Sequence, residues 1–345
     1  MSTDARHRQG GNLRDLGPIQ LDLSTCVNPY GPPGAVVQAL RGMSPDAIRR
    51  HPYEAADDVE TAYAQYTGQP VTEFVAGRGA SDLIWTLARH LDGKRVGLPM
   101  PAYTEFRRAF PDAGPFGSGA STHPAAVLDE AMHACDAVII SNPHNPTGQV
   151  IQATDLAAVA ARHPASLLVA DESYIDFLAD PAPITLIGCR LGNVIVLRSP
   201  SKFFGLAGAR SGVAWSHHPL PGQWRHTRTS WPVSAFAATA LHTALTSSAW
   251  AASTRQLLAS DTAWLDEALT ASGLEITPGA LHFRLLTGPA AAIARFAGHL
   301  GSCGVAVRVL EEAYGVGKPA VRISAPRRQD QPALSAALRS LREGS

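Results

Sequence analysis

Lysine is nearly absent from this 345-residue chain: of 29 basic residues only Lys94, Lys202 and Lys318 are lysine. Arginine cannot replace it where chemistry needs a primary amine, because a guanidinium stays protonated and forms no imine. Net charge is lacking too, at formally +0 with a pI near 7.2, so bulk electrostatics favour neither nucleic acid nor an anionic membrane. No apolar run approaches the roughly 20 residues of a membrane helix. Met1 to Leu23 lack the apolar stretch of a secretory leader. The four cysteines, Cys26, Cys135, Cys189 and Cys303, form no CxxC pair. That pattern argues against structural zinc and a disulfide framework, and leads us to expect a reducing, cytoplasmic setting. No G-x-G-x-x-G opens the first strand–helix unit, which argues against a dinucleotide site.

With 45% hydrophobic and 17% charged residues the chain reads as globular. Short Val/Ile-rich runs at Val96–Pro99, Ala137–Ser141, Ser166–Ala170, Val194–Leu197 and Gly212–Trp215 are nearly continuous in hydrophobicity, as strands buried on both faces should be. Helical patterns over Ser81–His90, Pro101–Phe110 and Thr154–His163 lie between them. The expected fold class is α/β, a mostly parallel, doubly wound sheet in a large domain with a smaller α+β domain. Ala/Leu-rich helices at Ser234–Thr246 and Ser253–Ser272 precede expected strands at Leu281–Leu286 and Ala320–Ser324, with further helices over Ala291–Gly301 and Gln331–Arg342. The boundaries expected are an N-terminal arm over 1–45 that joins the small domain, a large domain over 46–232, and a linking helix with the small domain over 233–345. Gly10-Gly11 and Gly31-Pro32-Pro33-Gly34 make the arm read as irregular.

Polar motifs sit at the ends of the expected strands, where open α/β sheets bind ligands. Lys202, in Arg198-Ser199-Pro200-Ser201-Lys202, directly follows one buried run and is flanked by two serines. Arg210, in a glycine-spaced segment eight residues on, suits phosphate binding by charge-assisted hydrogen bonds. Gly77-Arg78-Gly79-Ala80-Ser81 opens a helix whose free N–H groups suit the same anion. Asp171 ends another run; a carboxylate there serves either as a helix cap or as a partner for a protonated ring nitrogen. Tyr174 offers a phenol three residues on, Asn145 lies in Asn142-Pro-His-Asn145-Pro-Thr-Gly148, and the Tyr103 ring is suited to stacking on an aromatic ligand. Taken singly, each is more often an ordinary turn, cap or core residue.

Together, Asn145-Pro-Thr-Gly148, Asp171-x-x-Tyr174, Ser199-x-x-Lys202, Arg210 and Arg322 in Val321-Arg-Ile-Ser324 resemble the fold-type-I superfamily of pyridoxal-5′-phosphate (PLP) aminotransferases. Gly10-Gly-Asn12, Asp22-Leu-Ser24, Asn28-Pro-x-Gly-Pro-Pro33, Trp231-x-Val233 and Arg308 are similar to its histidinol-phosphate aminotransferase and threonine-phosphate decarboxylase branch. The resemblance implies a fold-type-I transferase working as a homodimer with its active site at the interface. It implies Lys202 as the Schiff-base lysine, Asp171 at the ring nitrogen, Tyr103 stacked on the ring, and Asn145 and Tyr174 at the phenolic oxygen. Ala80, Ser81, Ser199, Ser201 and Arg210 would hold the phosphate, and Arg322 the substrate carboxylate. Asn12, Asn28, His282 and Arg308 are expected to ring a pocket for a polar or charged side chain. Three positions depart from the branch: Arg50-His51-Pro52-Tyr53 replaces its Arg-Tyr-Pro-Asp, Gln9 stands for the decarboxylases' histidine, and His282 for a usual asparagine. The expected activity is amino transfer between a small-molecule α-amino acid and a 2-oxo acid. Decarboxylation of an O-phospho amino acid is the alternative. A non-catalytic binding module should lack Lys202 or Asp171, and both are present.

Overall fold

The computed structural model describes residues 18–117, 124–310 and 315–343. After β1 (Leu21–Asp22) come α1 (Gly34–Arg41), α2 (Asp46–Arg49) and α3 (Ala55–Thr67). The central elements follow as β2 (Phe74–Gly77), α4 (Ala80–His90), β3 (Val96–Pro99), α5 (Thr104–Ala109), β4 (Gly114–Phe116) and α6 (Pro124–Ala134). They continue as β5 (Ala137–Ser141), α7 (Ala153–Arg162), β6 (Leu167–Asp171), β7 (Val194–Arg198), β8 (Gly212–Trp215) and α8 (Pro219–Thr227). The remainder is α9 (Ala235–Leu245), α10 (Ser248–Leu269), β9 (Glu275–Thr277), β10 (Phe283–Thr287), α11 (Ala290–Ser302), β11 (Val305–Ala306), β12 (Arg308–Leu310), β13 (Ala320–Ser324) and α12 (Gln331–Glu343).

Seven strands form the central sheet in the order β2-β8-β7-β6-β5-β3-β4. Only β8 within that sheet runs antiparallel to its neighbours. Every residue of β5, β6 and β7 is buried, which accounts for their unbroken hydrophobic sequences. Side chains alternate between two cores: Val138, Ile140, Leu168, Ala170, Val194 and Val196 enter one, and Ala137, Ile139, Leu167, Val169, Ile195 and Leu197 the other. Burying each larger aliphatic side chain contributes roughly 1.5–3 kcal/mol. Ser141 pairs with Asp171 and Asp171 with Leu197, so β5, β6 and β7 end level with one another and deliver their next residues to one edge.

A second, antiparallel sheet runs β12-β13-β10-β9. It packs on α10, α11 and α12 through Leu265, Leu286, Phe296, Ile323 and Leu334, a core that Leu23 joins. Beside it β1 pairs in parallel with β11.

The expected strands and helices stand where the hydrophobic pattern put them, with ends shifted by a few residues. The irregular arm is corrected in part: α1 begins directly after Pro33 and plants Val36 in the core. The proline pair reads as a breaker, but here it ends at a helix start, a position where proline's missing N–H costs nothing. Gly10-Gly11 lie outside the described residues.

Gly205 has φ +65 and its Cα side lies against Gly31, where an added Cβ would sit 2.9 Å from backbone carbon. Gly205→Ala is expected to cost roughly 1–3 kcal/mol for the left-handed backbone alone, with the clash adding to it. Thermal melting checks this, and an unchanged midpoint would refute it.

Candidate active site

The edge where β5, β6 and β7 end opens into a cavity of about 420 Å³. It is lined by Ala80, Ser81, Tyr103, Asn145, Asp171, Tyr174, Ser199, Ser201, Lys202, Arg210, Arg308 and Arg322, residues separated by up to 242 positions and brought together by the fold. A larger, mainly apolar cavity of about 840 Å³ shares Ser141 with it. The charged residues among that cavity's lining, Glu275 and Lys318, are bonded to each other at 2.6 Å. Convergent charge, and hence chemistry, belongs to the smaller one.

Two ends can be told apart. At one end, α4 starts on Gly79 (φ 85) with no side-chain cap, so its first N–H groups remain available beside Ser81. The Ser199 and Ser201 hydroxyls lie 2.7 Å apart. Arg210 adopts φ 59, a left-handed conformation unusual for a side-chain-bearing residue. Its guanidinium donates to the Ala207 and Arg78 carbonyls at 3.2 and 3.3 Å. A helix N-terminus, two hydroxyls and a guanidinium make a cradle for a phosphate dianion.

At the other end β12 and β13 place Arg308 directly opposite Arg322. Arg322 is buried and donates to Asn145 Oδ1 at 2.6 Å and to the Ser24 carbonyl at 3.2 Å. Like charges directly across a strand pair destabilise a sheet. Both side chains line the cavity.

Between these ends stand Lys202, Asp171 and Tyr174. Lys202 follows the tight Ser199–Ser201 turn. Its carbonyl is held by the Asn28 N–H at 2.9 Å, while Asn28 Nδ2 donates to the Phe203 carbonyl at 2.7 Å. Burial lowers the Lys202 amine below the ordinary lysine range, with Arg322 and Arg210 adding to the effect and Asp171 opposing it. Burial raises the Asp171 carboxyl, while the Ser173 hydroxyl and N–H, donating at 2.5 and 3.0 Å, pull it back. Asp171 therefore caps no helix: it closes a local turn through Ser173 and leaves the rest of its carboxylate to the cavity. Burial keeps the Tyr174 phenol protonated. Tyr103 precedes α5 on the wall. His144 links that segment to the Asn142–Gly148 turn, its Nε2 donating to the Pro101 carbonyl at 2.8 Å and its Nδ1 meeting Thr147 Oγ1 at 2.7 Å.

Four cations thus face one carboxylate among the described lining residues. The fit to PLP follows: an anion cradle for the phosphate, an amine of lowered basicity for the aldehyde carbon, and a carboxylate for a ring nitrogen.

Asn28 and His282 are corrections, for neither lines the cavity. The Asn28 amide is spent on main chain at the lysine turn, as above. His282 lies buried behind the wall, stacked on Phe177 at 4.2 Å, and Phe177 in turn meets Phe203 edge-on at 5.2 Å. Gln9 and Asn12 lie outside the described residues. So do Glu311 and Glu312, expected as surface ion-pair partners of Arg308 if that residue faced solvent instead of a ligand. Thr25, Cys26, Thr104, Ser173 and Ala207 line the cavity without having been singled out, and nothing in their local sequence distinguishes them.

The chain belongs to the family of aminotransferases of class I and II, whose model matches residues 18–337. It is a PLP-dependent enzyme of that class. Among curated relatives, the threonine-phosphate decarboxylase of Salmonella typhimurium is 31% identical over 80% of this chain and 81% of its own length. Histidinol-phosphate aminotransferase 2 of Burkholderia mallei is 28% identical over 76% of each. In fold, the chain resembles the PLP complex of histidinol-phosphate aminotransferase from Sinorhizobium meliloti over the full length of both chains (TM-score 0.83, 23% identity). No described helix is long and apolar enough to cross a membrane.

His282 yields a pH prediction. Burial, with Arg322, Lys202 and Arg284 nearby, lowers its ring from 6.5 to about 3, and neither ring nitrogen has a hydrogen-bond partner among the described residues. The unfolded chain binds a proton there that the folded chain refuses, so stability falls as pH drops from 6.5 towards about 3. His282→Asn should flatten the acid limb of the melting temperature against pH; parallel limbs in the two proteins would refute this.

Proposed function

We propose that the enzyme transfers the amino group of an α-amino acid with a polar or anionic side chain to a 2-oxo acid. The observation carrying this reading is the cross-strand pair of Arg308 and Arg322 in the lining of the cavity. A planar guanidinium suits bidentate carboxylate binding, which assigns the substrate carboxylate to Arg322 and a distal anionic or polar group to Arg308. An apolar side chain would leave buried polar groups unmatched, at about 1–3 kcal/mol each.

PLP supplies an electron sink at the substrate Cα. In this reading Ala80, Ser81, Ser199, Ser201 and Arg210 would hold its phosphate, Asp171 would keep its ring nitrogen protonated, Tyr103 would stack on the ring, and Asn145 and Tyr174 would bind its phenolic oxygen. Lys202 anchors it covalently. When not bonded to the cofactor, the same amine, whose basicity burial lowers, would be the base placed to take the substrate Cα proton and to hold it for return. Four free cysteines accord with work in a reducing cytoplasm.

We assign the homodimer to the face carrying His51, Tyr53 and Trp231. His51 stacks on Trp231 at 3.9 Å and Tyr53 meets it edge-on at 5.8 Å, yet Tyr53 and Trp231 are 71% and 42% exposed. Apolar rings ordered against each other and left in water suit a second copy of the chain, with His51 or Tyr53 reaching its phosphate cradle. The expected result is a dimer by light scattering at assay concentration, with PLP affinity reduced in His51→Ala or Tyr53→Ala. A fully active monomer would overturn the dimer, and unchanged affinity in both variants only the choice of residues.

Decarboxylation is retained as a second reading because a relative 31% identical over 80% of this chain is a threonine-phosphate decarboxylase. Histidinol phosphate, O-phosphothreonine, arginine and leucine should be compared as donors, reading both 2-oxo acid and carbon dioxide. Amino transfer requires a 2-oxo acid and a change in cofactor absorbance without gas release. Arg308→Ala should lower kcat/KM for anionic donors about 10-fold or more, the equivalent of one charged hydrogen bond. Leucine as best donor, with Arg308→Ala unchanged, would refute the polar pocket.

A further inference from the structure

Asp171, at the end of β6, and Ser199, directly after β7, each have a sequence neighbour that does not line the cavity. Asp171 lines the cavity and Glu172 does not; Ser199 lines it and Arg198 does not. On the hidden side these neighbours meet. Arg198 Nε donates to Glu172 Oε2 at 3.0 Å and Arg198 Nη1 to Asp176 Oδ1 at 3.2 Å. All three side chains are almost wholly buried, at 4%, 0% and 3% exposure. The Thr185 hydroxyl serves both charges, donating to Glu172 Oε2 at 2.7 Å and accepting from Arg198 Nη2 at 3.2 Å. Leu186 N–H donates to the second Glu172 oxygen at 2.7 Å. Tyr66, from α3, donates to Asp176 Oδ1 at 3.1 Å, and Arg255, from α10, donates to the Asp176 carbonyl at 2.8 Å. The Arg255 guanidinium also sits 4.8 Å over the ring of Phe203, the residue after Lys202.

A buried ion pair gains little net stability over apolar packing, because desolvation offsets the attraction. Removing one partner is costly, and what the arrangement does supply is fixed geometry. Here the geometry is that of two adjacent strand ends, one carrying Asp171 and the other Ser199, Ser201 and Lys202.

We propose that Glu172, Arg198 and Thr185 are positioning residues that set the spacing between the Asp171 carboxylate and the Ser199–Lys202 segment, and so the separation of the two ends of the cofactor site. They act through main chain: the Glu172 N–H donates to the Leu197 carbonyl at 2.9 Å, so the polar cluster and the strand ladder close one ring. None of the three lines the larger cavity or Arg308's end of the smaller one, so substrate choice lies outside their reach.

The test uses Glu172→Gln, Arg198→Lys and Thr185→Val in the full chain. For each apoprotein, PLP affinity is measured by fluorescence quenching, and the pH midpoint of Lys202 modification by an amine reagent is measured with the cofactor absent. Positioning predicts PLP affinity weakened ~10-fold or more in the two charge variants, the equivalent of one charged hydrogen bond. Thr185→Val should show a smaller loss in the same direction. The Lys202 midpoint should rise towards that of an ordinary lysine as the site loosens. In the loaded enzymes kcat should fall while KM for the amino donor changes less than threefold. Lower melting temperatures with affinity and midpoint unchanged would make the cluster merely structural and overturn the proposal. Should the charge variants fail to fold, Thr185→Val, which keeps shape and charge, decides by the same two readouts. Wild-type apoprotein that takes up no PLP would overturn the cofactor assignment and the proposal with it.

Discussion

Lys202, Arg210, Arg308 and Arg322 converge on one cavity of about 420 Å³, where Asp171 is the one carboxylate among the described lining residues. Gathering like charge in this way costs stability unless it is offset. Arg308 and Arg322 face each other across a strand pair where like charges repel. Lys202 is held where burial disfavours its charge. Arg210 sits in a backbone conformation that costs about 1–3 kcal/mol. Local rules of this kind are broken together at functional sites, and an anionic ligand would offset the like charge gathered here.

What allows the fold to hold these groups is the pair of cores on either side of the central sheet. Strict alternation along β5, β6 and β7 sends aliphatic side chains into both. The strand ends are then rigid enough for polar residues to project from them at fixed separations. The same alternation continues one residue past the ladder, so that Asp171 and Ser199 face the cavity while Glu172 and Arg198 meet behind it. The lysine turn is fastened from a third side by Asn28, in a segment far away in sequence.

Much of this was legible from the residues alone. Unbroken Val/Ile runs announce doubly buried strands, and polar residues directly after such runs mark where ligands bind; Asp171, Asn145 and Lys202 follow from that rule. The scarcity of lysine singles out Lys202 further. What escaped depends on long-range packing. Asn28 carries the same amide whether it meets a substrate or the Phe203 carbonyl, and no local pattern tells these apart. His282 likewise reads as a polar group available to a ligand, while its stacking on Phe177 places it behind the wall. Short strands such as β4 and β12 have too few residues for a period to show. The α1 helix hid behind prolines that mark its start.

Where Asn28 and His282 stand changes which side chains line the cavity. With Asn28 and His282 off the wall, Arg308 and Arg322 are the charged side chains that the antiparallel sheet contributes to the described lining. His282 still reaches the site indirectly, because its ring supports Phe177, which packs on Phe203 next to Lys202. An asparagine there would be smaller, and would leave part of the Phe177 face without a partner. In this structure the histidine packs on Phe177 rather than lining the cavity. Its ring, held neutral by burial, adds no positive charge behind a cavity that has four cations among its described lining residues.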